Sequence, residues 1–296
     1  MKIAYIISAY KLPEQLVRLV KRLNTDDTSF FIHIDKKAKR EIFTQAYESL
    51  KPFRNVFFLK RHVCKWGDFG HVRATLKGIR QAMKQEIKYD YFYLITGQDY
   101  PIKSNRQIQE FLENSDGQSY IEYSSSIYLP KHWYERISYW HINPGKYYLV
   151  FPRESDLNSP ILNYAYNHLV KSIPYRRKLP LNFEPYFGSS YWCLSNECIK
   201  YVYDFLAKNK HFEKFFKYVN IPDEIFFQTI ILNSPLKVKL IDNGLMYIDF
   251  SAGGRHPAIL TKENFDKLMD SSDLFARKFD FTIDPDILDM IDKVII

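Results

Sequence analysis

The chain has 296 residues, 46% of them hydrophobic, enough for one large α/β domain or two small ones with a sizeable core. A formal charge of +8 favours acidic partners such as a nucleoside diphosphate or an anionic lipid surface, and the absence of any RRM, zinc-finger or basic-helix pattern argues against nucleic acid. Three cysteines without CxxC spacing argue against a disulfide framework or zinc site, and no apolar run reaches the roughly 18 residues that span a bilayer.

In chain order, "KIAYIIS" predicts a first strand. "PEQLVRLVKRLN" follows as a helix, with proline at its start and Leu16, Leu19, Val20 and Leu23 on one face. "SFFIHID" is a second strand, a charged helix covers about residues 38 to 50, and "NVFFL" is a third strand. "FGHVRATLKGIRQAMKQ" puts Val72, Leu76, Ile79 and Met83 on one helical face. "DYFYLIT" is the fourth strand; it runs into "GQDYPIKS", and "NRQIQEFLEN" resumes helix. This alternation predicts an α/β fold, a mostly parallel sheet with helices on both faces. Ligands of such sheets bind beyond the carboxyl ends of the strands, which selects "SAY" from Ser8, "HID" from His33 to Asp35, the loop after Leu59, and "GQD" ending at Asp99.

Residues 124 to 187 lose the rhythm and read as an irregular, aromatic-rich insertion, a common place for binding loops. "FGSSYWCLS" is strand-like with a glycine turn, and "NECIKYVYDFLAKN" is a helix with asparagine as cap. "IPDEIFFQTIILNS" predicts a buried helix; "KVKLI" and "LMYIDF" are short strands. "TKENFDKLMDS" is a helix opened by Thr261, with Asn264 at the capping-box position, and "LFARKFDFTIDPDILDMI" closes the chain. With no repeat or linker, one domain over 1–296 is expected, a nucleotide-binding half (1–123) followed by an acceptor-binding and catalytic half (124–296). The clusters "DKKAKR" and "YRRK" are expected to be solvated faces, the second also a candidate for membrane contact.

There is no P-loop, GxGxxG, GxSxG or HExxH signal. His33 and Asp35 share one side of an extended strand end, where an acid can accept from a ribose hydroxyl or a base N–H; a core histidine and a loop-anchoring aspartate fit equally well. Asp99 follows a strand and a glycine, but one carboxylate is a poor cation site. In "IPDE", Glu224 has the capping-box position, yet Ile221 has no side-chain oxygen to complete the box. The helix dipole then accounts for the acids only by about 0.3–1 kcal/mol, and a carboxylate kept ionised there suits a general base. Arg277 and Lys278 form a basic pair that reads as a surface feature or as a counterion for a departing diphosphate.

Taken in order, "FFIHIDKKA", "KWGDFGHVRATL", "YFYLITGQDYPIKSN", "YFGSSYWCLS", "IPDEIFFQTIILNS" and "LFARKFD" resemble the core-2/I-branching β-1,6-N-acetylglucosaminyltransferase and peptide O-xylosyltransferase family, glycosyltransferase family 14, over nearly the whole chain. The resemblance implies a GT-A-like (Rossmann-like) fold and an inverting, metal-independent transfer from a UDP-sugar, with no cofactor. It implies Glu224 as catalytic base, Lys278 on the diphosphate and Asp35 beside uridine. The family's second diphosphate cation, an arginine, falls on Met246, so Arg255 or Arg277 is expected to supply the charge. Animal members carry an anchor, a stem and many cysteines that this sequence lacks, so a bacterial, cytoplasmic member is expected, with the inner membrane face as a candidate peripheral site.

On this reading the donor site is Ser8, Asp35, Asp99, Arg255, Arg277 and Lys278. The acceptor cleft is Trp133, Glu135, Tyr191, Trp192 and Asp223, with Trp140 nearby, since aromatic faces stack on sugars. No metal ligand is assigned. The donor sugar is expected to be N-acetylglucosamine, with xylose, galactose and glucose open, and the acceptor a glycan hydroxyl in surface polysaccharide synthesis, lipid-linked or free. A non-catalytic nucleotide- or sugar-binding relative is the alternative.

Overall fold

The computed structural model describes the chain except residues 126–129, 144–148, 152–158, 173–176, 252, 254–255 and 296. Four strands open it: β1 (Ile3–Ala9), β2 (Thr28–Ile34), β3 (Val56–Phe58) and β4 (Tyr91–Thr96). The helices between them are α1 (Pro13–Leu23), α2 (Arg40–Leu50) and α3 (Gly70–Ala82). "GQDYP", to which no strand was assigned, contains the short strand β5 (Asp99–Pro101). Then come α4 (Asn105–Glu113), β6 (Ser119–Ile121), β7 (Ser124–Ser125), α5 (Lys131–Ser138), β8 (Trp140–Ile142), β9 (Leu149–Phe151) and α6 (Pro160–Ser172). Strands β10 (Tyr186–Phe187) and β11 (Trp192–Ser195) precede α7 (Asn196–Lys208) and α8 (Lys210–Phe216). The chain ends through α9 (Phe226–Leu232), β12 (Leu240–Ile241), β13 (Met246–Ile248), α10 (Phe265–Asp270), β14 (Phe275–Arg277) and α11 (Asp286–Val294).

The main sheet has seven strands in the order β12-β6-β11-β4-β1-β2-β3. β1 pairs in parallel with β2 and β4, β2 with β3, and β6 with β12; only β11 runs antiparallel, to β4 and β6. The expected class, α/β with a mostly parallel sheet and helices on both faces, is what the chain adopts. Strand alternation explains the two cores. Ile3, Tyr5 and Ile7 face one layer with Leu16, Leu19 and Leu288. Ala4 and Ile6 face the other with Leu76, Ile199 and Phe226. Strands from both sides of residue 123 share this sheet, and Phe275 packs 4.6 Å from Tyr93, so the two sequence halves interleave.

Several local expectations change. "KVKLI" is mainly a 3-10 turn over Pro235–Lys239, with only Leu240 and Ile241 in a strand. Ser195, not the asparagine, is the α7 N-cap, because Asn196 spends its side chain on the carbonyl of Tyr89. Thr261 opens its helix as expected, and Asn264, in place of the usual Glu, completes a capping box with it. In "YRRK", Arg177 is buried rather than solvated: it donates to the carbonyls of Tyr218 and Phe215 and lies 4.4 Å from the Trp140 ring centre. Burial lowers its pKa to about 10. Lys178 is exposed, and Tyr175 and Arg176 lie outside the described residues. Cys64, Cys193 and Cys198 are free and buried.

Candidate active site

A cavity of about 510 Å³ opens at the carboxyl ends of the parallel strands. Its walls include Ser8 near the end of β1, His33 near the end of β2 and Asp35 just after it, Cys64 and Gly67 in the loop beyond β3, and Gly97 and Gln98 after β4. All four segments chosen by the strand-end rule therefore contribute.

Asp35 is held by its surroundings. Its Oδ1 accepts the N–H of Lys37 at 2.8 Å and of Cys64 at 3.3 Å. His33 Nε2 accepts the N–H of His62 at 3.1 Å, which places the ring proton on Nδ1. Burial first, then the nearby His62 and Lys77, pushes the pKa of His33 down to about 3, so it is neutral. His33, His62 and Cys64 lie close enough to share a cation. However, His62 Nε2 meets the carbonyl of Gly70 at 2.9 Å and Nδ1 meets Lys77 Nζ at 3.0 Å. Burial, foremost, raises the Cys64 pKa to about 12. A cation there would displace several hydrogen bonds and deprotonate a reluctant thiol.

The cationic wall comes from the chain's last fifth. Lys278 and Arg277 both line the cavity, at the end of β14. The segment is pinned on both sides: Leu260 N–H donates to the carbonyl of Lys278 at 2.9 Å, and Phe279 N–H to that of Gln98 at 2.8 Å. Buried Gln15 of α1 bridges the carbonyls of Gly97 and Phe279. The Arg277 guanidinium lies over the Tyr191 ring, 4.2 Å from its centre. Burial lowers the pKa of Lys278, helped by Lys11 and Arg277. Lys11, which the sequence reading did not single out, lines the same cavity and pairs with Asp280 at 2.6 Å. Three cations thus gather where an anion can bind.

Asp99 does not face the cavity, contrary to its placement with the donor residues. It is fully buried, and its two oxygens accept the Thr96 N–H at 2.7 Å and hydroxyl at 2.9 Å. Arg277 Nη1 lies 3.3 Å away as an ion pair, but it makes no hydrogen bond among the described residues. Asp99 therefore lies behind Arg277 rather than on the cavity wall. Met246 packs in the core beside Phe275, so no charge reaches the cavity from that position. Arg255 lies outside the described residues.

Opposite the cations stands the "PDE" turn. Pro222–Glu224 is a 3-10 turn, broken from α9 at Ile225, not the start of one long helix. It is preceded by Ile221 in the left-handed region at φ 48°, a strained conformation for a β-branched residue. Ile221 N–H donates to the carbonyl of Gly67 at 2.9 Å. Buried Gln228 and Thr229 of α9 bind the backbone of Ser189 and Tyr186, so polar as well as apolar residues of this helix anchor the wall. Glu224 is about one-third exposed and accepts from Arg136 Nη2 at 2.9 Å. Its pKa is raised, first by burial and further by Asp223, against the lowering effect of Arg136. The expected dipole-held ionisation gives way to desolvation, because a 3-10 turn of three residues offers little dipole. Asp223 also lines the cavity; its Oδ2 accepts from Ser190 at 2.9 Å, and its buried Oδ1 has no hydrogen-bond partner among the described residues.

The aromatic acceptor cleft is largely reassigned. Only Tyr191 of the expected aromatics reaches the cavity. Trp192 is fully buried in β11 against Phe227. Trp133 packs on Phe187 and on Arg136, and Trp140 lies against Tyr218. Glu135 is off the wall, where its backbone carbonyl meets His141. Rings near a site in sequence also serve as core, which composition does not separate.

Gly188 is required by close approach rather than by a turn. An added Cβ would fall 1.8 Å from the carbonyl oxygen of Glu122, while its N–H donates to the carbonyl of Glu224 at 2.9 Å. Gly188→Ala is expected to cost roughly 1–3 kcal/mol by overpacking and to lower activity as well. Chemical denaturation alongside a turnover assay checks this, and unchanged values for both would contradict it.

The family model "Branch: Core-2/I-Branching enzyme" matches residues 3–269. Xylosyltransferase 2 of Rattus norvegicus is 23% identical over 98% of this chain and 33% of its own length. The probable β-1,3-galactosyl-O-glycosyl-glycoprotein β-1,6-N-acetylglucosaminyltransferase 7 of Homo sapiens is 24% identical over 68% of this chain and 42% of its own. The chain spans about a third to two-fifths of the length of these curated relatives. Among solved structures, core-mannan synthase A of Aspergillus fumigatus covers 81% of this chain and 72% of its own at 12% identity, with a TM-score of 0.33.

Proposed function

The chain belongs to the core-2/I-branching enzyme family, and from that premise we propose that it is an inverting glycosyltransferase moving a sugar from UDP to a glycan hydroxyl. The observation that carries this reading is one cavity with Glu224 on one wall and Lys11, Arg277 and Lys278 on another. An acceptor hydroxyl gives its proton to Glu224 as its oxygen attacks C1 of the donor from the face opposite UDP. The C1–O bond to the diphosphate breaks, and Lys278 and Arg277 meet the charge that develops there. Asp35 and Ser8 hold the nucleoside, and Asp223 and Tyr191 border the acceptor.

The donor is N-acetylglucosamine in this reading, with xylose the next choice because both sugars appear in the names of relatives. No metal or cofactor takes part. The acceptor is a bacterial surface glycan, free or lipid-linked, reached at the inner face of the membrane; the charge of +8 supports an anionic surface. Among the described residues no helix is long and apolar enough to cross a membrane.

A donor screen by UDP release, with and without EDTA, tests the proposal. Release is expected with one UDP-sugar, dependent on acceptor and unchanged by EDTA. Loss of transfer in EDTA overturns the metal-free mechanism. The buried Met246, where an arginine was expected, favours a second reading as a non-catalytic binder. That reading predicts UDP binding by calorimetry with no release for any donor.

A further inference from the structure

Arg136 is buried, with its guanidinium 4.7 Å from the Trp133 ring centre and 5.7 Å from that of Phe187. Its Nε donates to the carbonyl of Asn220 at 3.1 Å. Its Nη2 donates to the carbonyl of Ile221 at 2.8 Å and to Glu224 Oε2 at 2.9 Å. Asn220 N–H in turn donates to the carbonyl of Arg136 at 3.0 Å. One side chain therefore grips the strained turn at Ile221 and the carboxylate three residues on. Glu224 Oε1 makes no hydrogen bond among the described residues and is the oxygen left for a substrate.

We propose that Arg136, clamped by Trp133 and Phe187, is the positioning residue of the base: it fixes Glu224 Oε2 and leaves Oε1 for the acceptor proton. This inference rests on Glu224 being the base. The clamp gives Trp133 a purpose other than sugar stacking. A guanidinium is suited to the task because its planar fork serves two carbonyls and a carboxylate while its face lies on rings, which a lysine cannot reproduce.

Two charged groups act on Glu224 directly, and the others share its cavity, with Lys11, His33, Asp35, Cys64, His256 and Arg277 among them. Arg136 comes from α5 and Asp223 from the same 3-10 turn. His71 of α3, Glu122 beyond β6 and Lys278 beyond β14 share the cavity. The sign follows from the base having to be deprotonated. Arg136 opposes the rise that burial and Asp223 cause. Removing its charge lifts the pKa of Glu224, so the acid limb of activity moves to higher pH.

The test is the pH profile of kcat/KM for the wild type, Arg136→Met and Arg136→Lys, with UDP affinity measured by calorimetry as a sign of an intact fold. Arg136→Met should move the acid limb up by about one unit or more, the effect expected of an opposite charge in hydrogen-bond contact. Arg136→Lys should keep the limb near its wild-type position but lose about tenfold or more in kcat, since the fork geometry is gone. UDP affinity should hold in both. An unmoved limb in Arg136→Met would assign it to another group, such as His71, and overturn the proposal. If the methionine variant does not fold, wild-type kcat in Arg136→Lys overturns it instead. Glu224→Gln run in parallel keeps the two ideas apart. Full activity there refutes the base itself, whereas loss there with unshifted Arg136 variants refutes only the positioning.

Discussion

Glu224→Gln should bind UDP as the wild type does and lose transfer by about 10²–10⁴-fold in kcat, the usual contribution of a general base. The amide has nearly the same shape, and its oxygen can still accept from Arg136. It has no proton affinity of use to an attacking hydroxyl. Arg136 keeps its bonds to the carbonyls of Asn220 and Ile221, so the turn should stay in place. Turnover with saturating donor and acceptor, set beside calorimetry with UDP, separates chemistry from binding. Near-wild-type turnover would remove Glu224 from the mechanism.

Lys278→Ala should lower kcat by about 10²–10³-fold, as loss of a group aimed at developing charge does elsewhere, and should also weaken UDP binding. Arg277 is expected to remain in position, because Asp99 and the Tyr191 ring hold it independently of Lys278. Lys11→Ala should have a smaller effect on both quantities, since Lys11 already spends its charge on Asp280. Steady-state rates and UDP titrations of the two variants give the comparison. A Lys278→Ala enzyme with wild-type kcat would move the diphosphate elsewhere in the cavity.

Much of the first third of the fold was legible because parallel strands and amphipathic helices write their burial into local periods. Ile3, Tyr5 and Ile7 against Ala4 and Ile6 is such a pattern, and the strand-end rule then pointed to the cavity floor. The later elements were less legible. The 3-10 turn at Pro222–Glu224 and the strand at Asp99–Pro101 are stabilised by distant partners, the carbonyl of Gly67 in one case and β14 in the other. Arg136 carried no signal at all. It lies in an irregular insertion among many charged and aromatic residues, and only contact across 88 positions of sequence distinguishes it.

The aromatic residues separate what sequence and tertiary structure each decide. Composition established that many rings must be buried. It did not say which, because a tryptophan beside a glycine-rich bend costs the same to write whether it faces core or sugar. Folding put Trp192 in the sheet, Trp133 beneath Arg136 and Tyr191 beneath Arg277. The order of motifs along the chain was enough for the α/β class, and it named Glu224, Arg277 and Lys278, which the fold brings to one cavity. Which oxygen of Glu224 is tethered, why Asp99 lies buried behind Arg277 rather than in the cavity, and how Lys11 joins the cations were decided only by the sheet. It gathers loops from both ends of the chain at one edge, where burial and charge act through space rather than along the sequence.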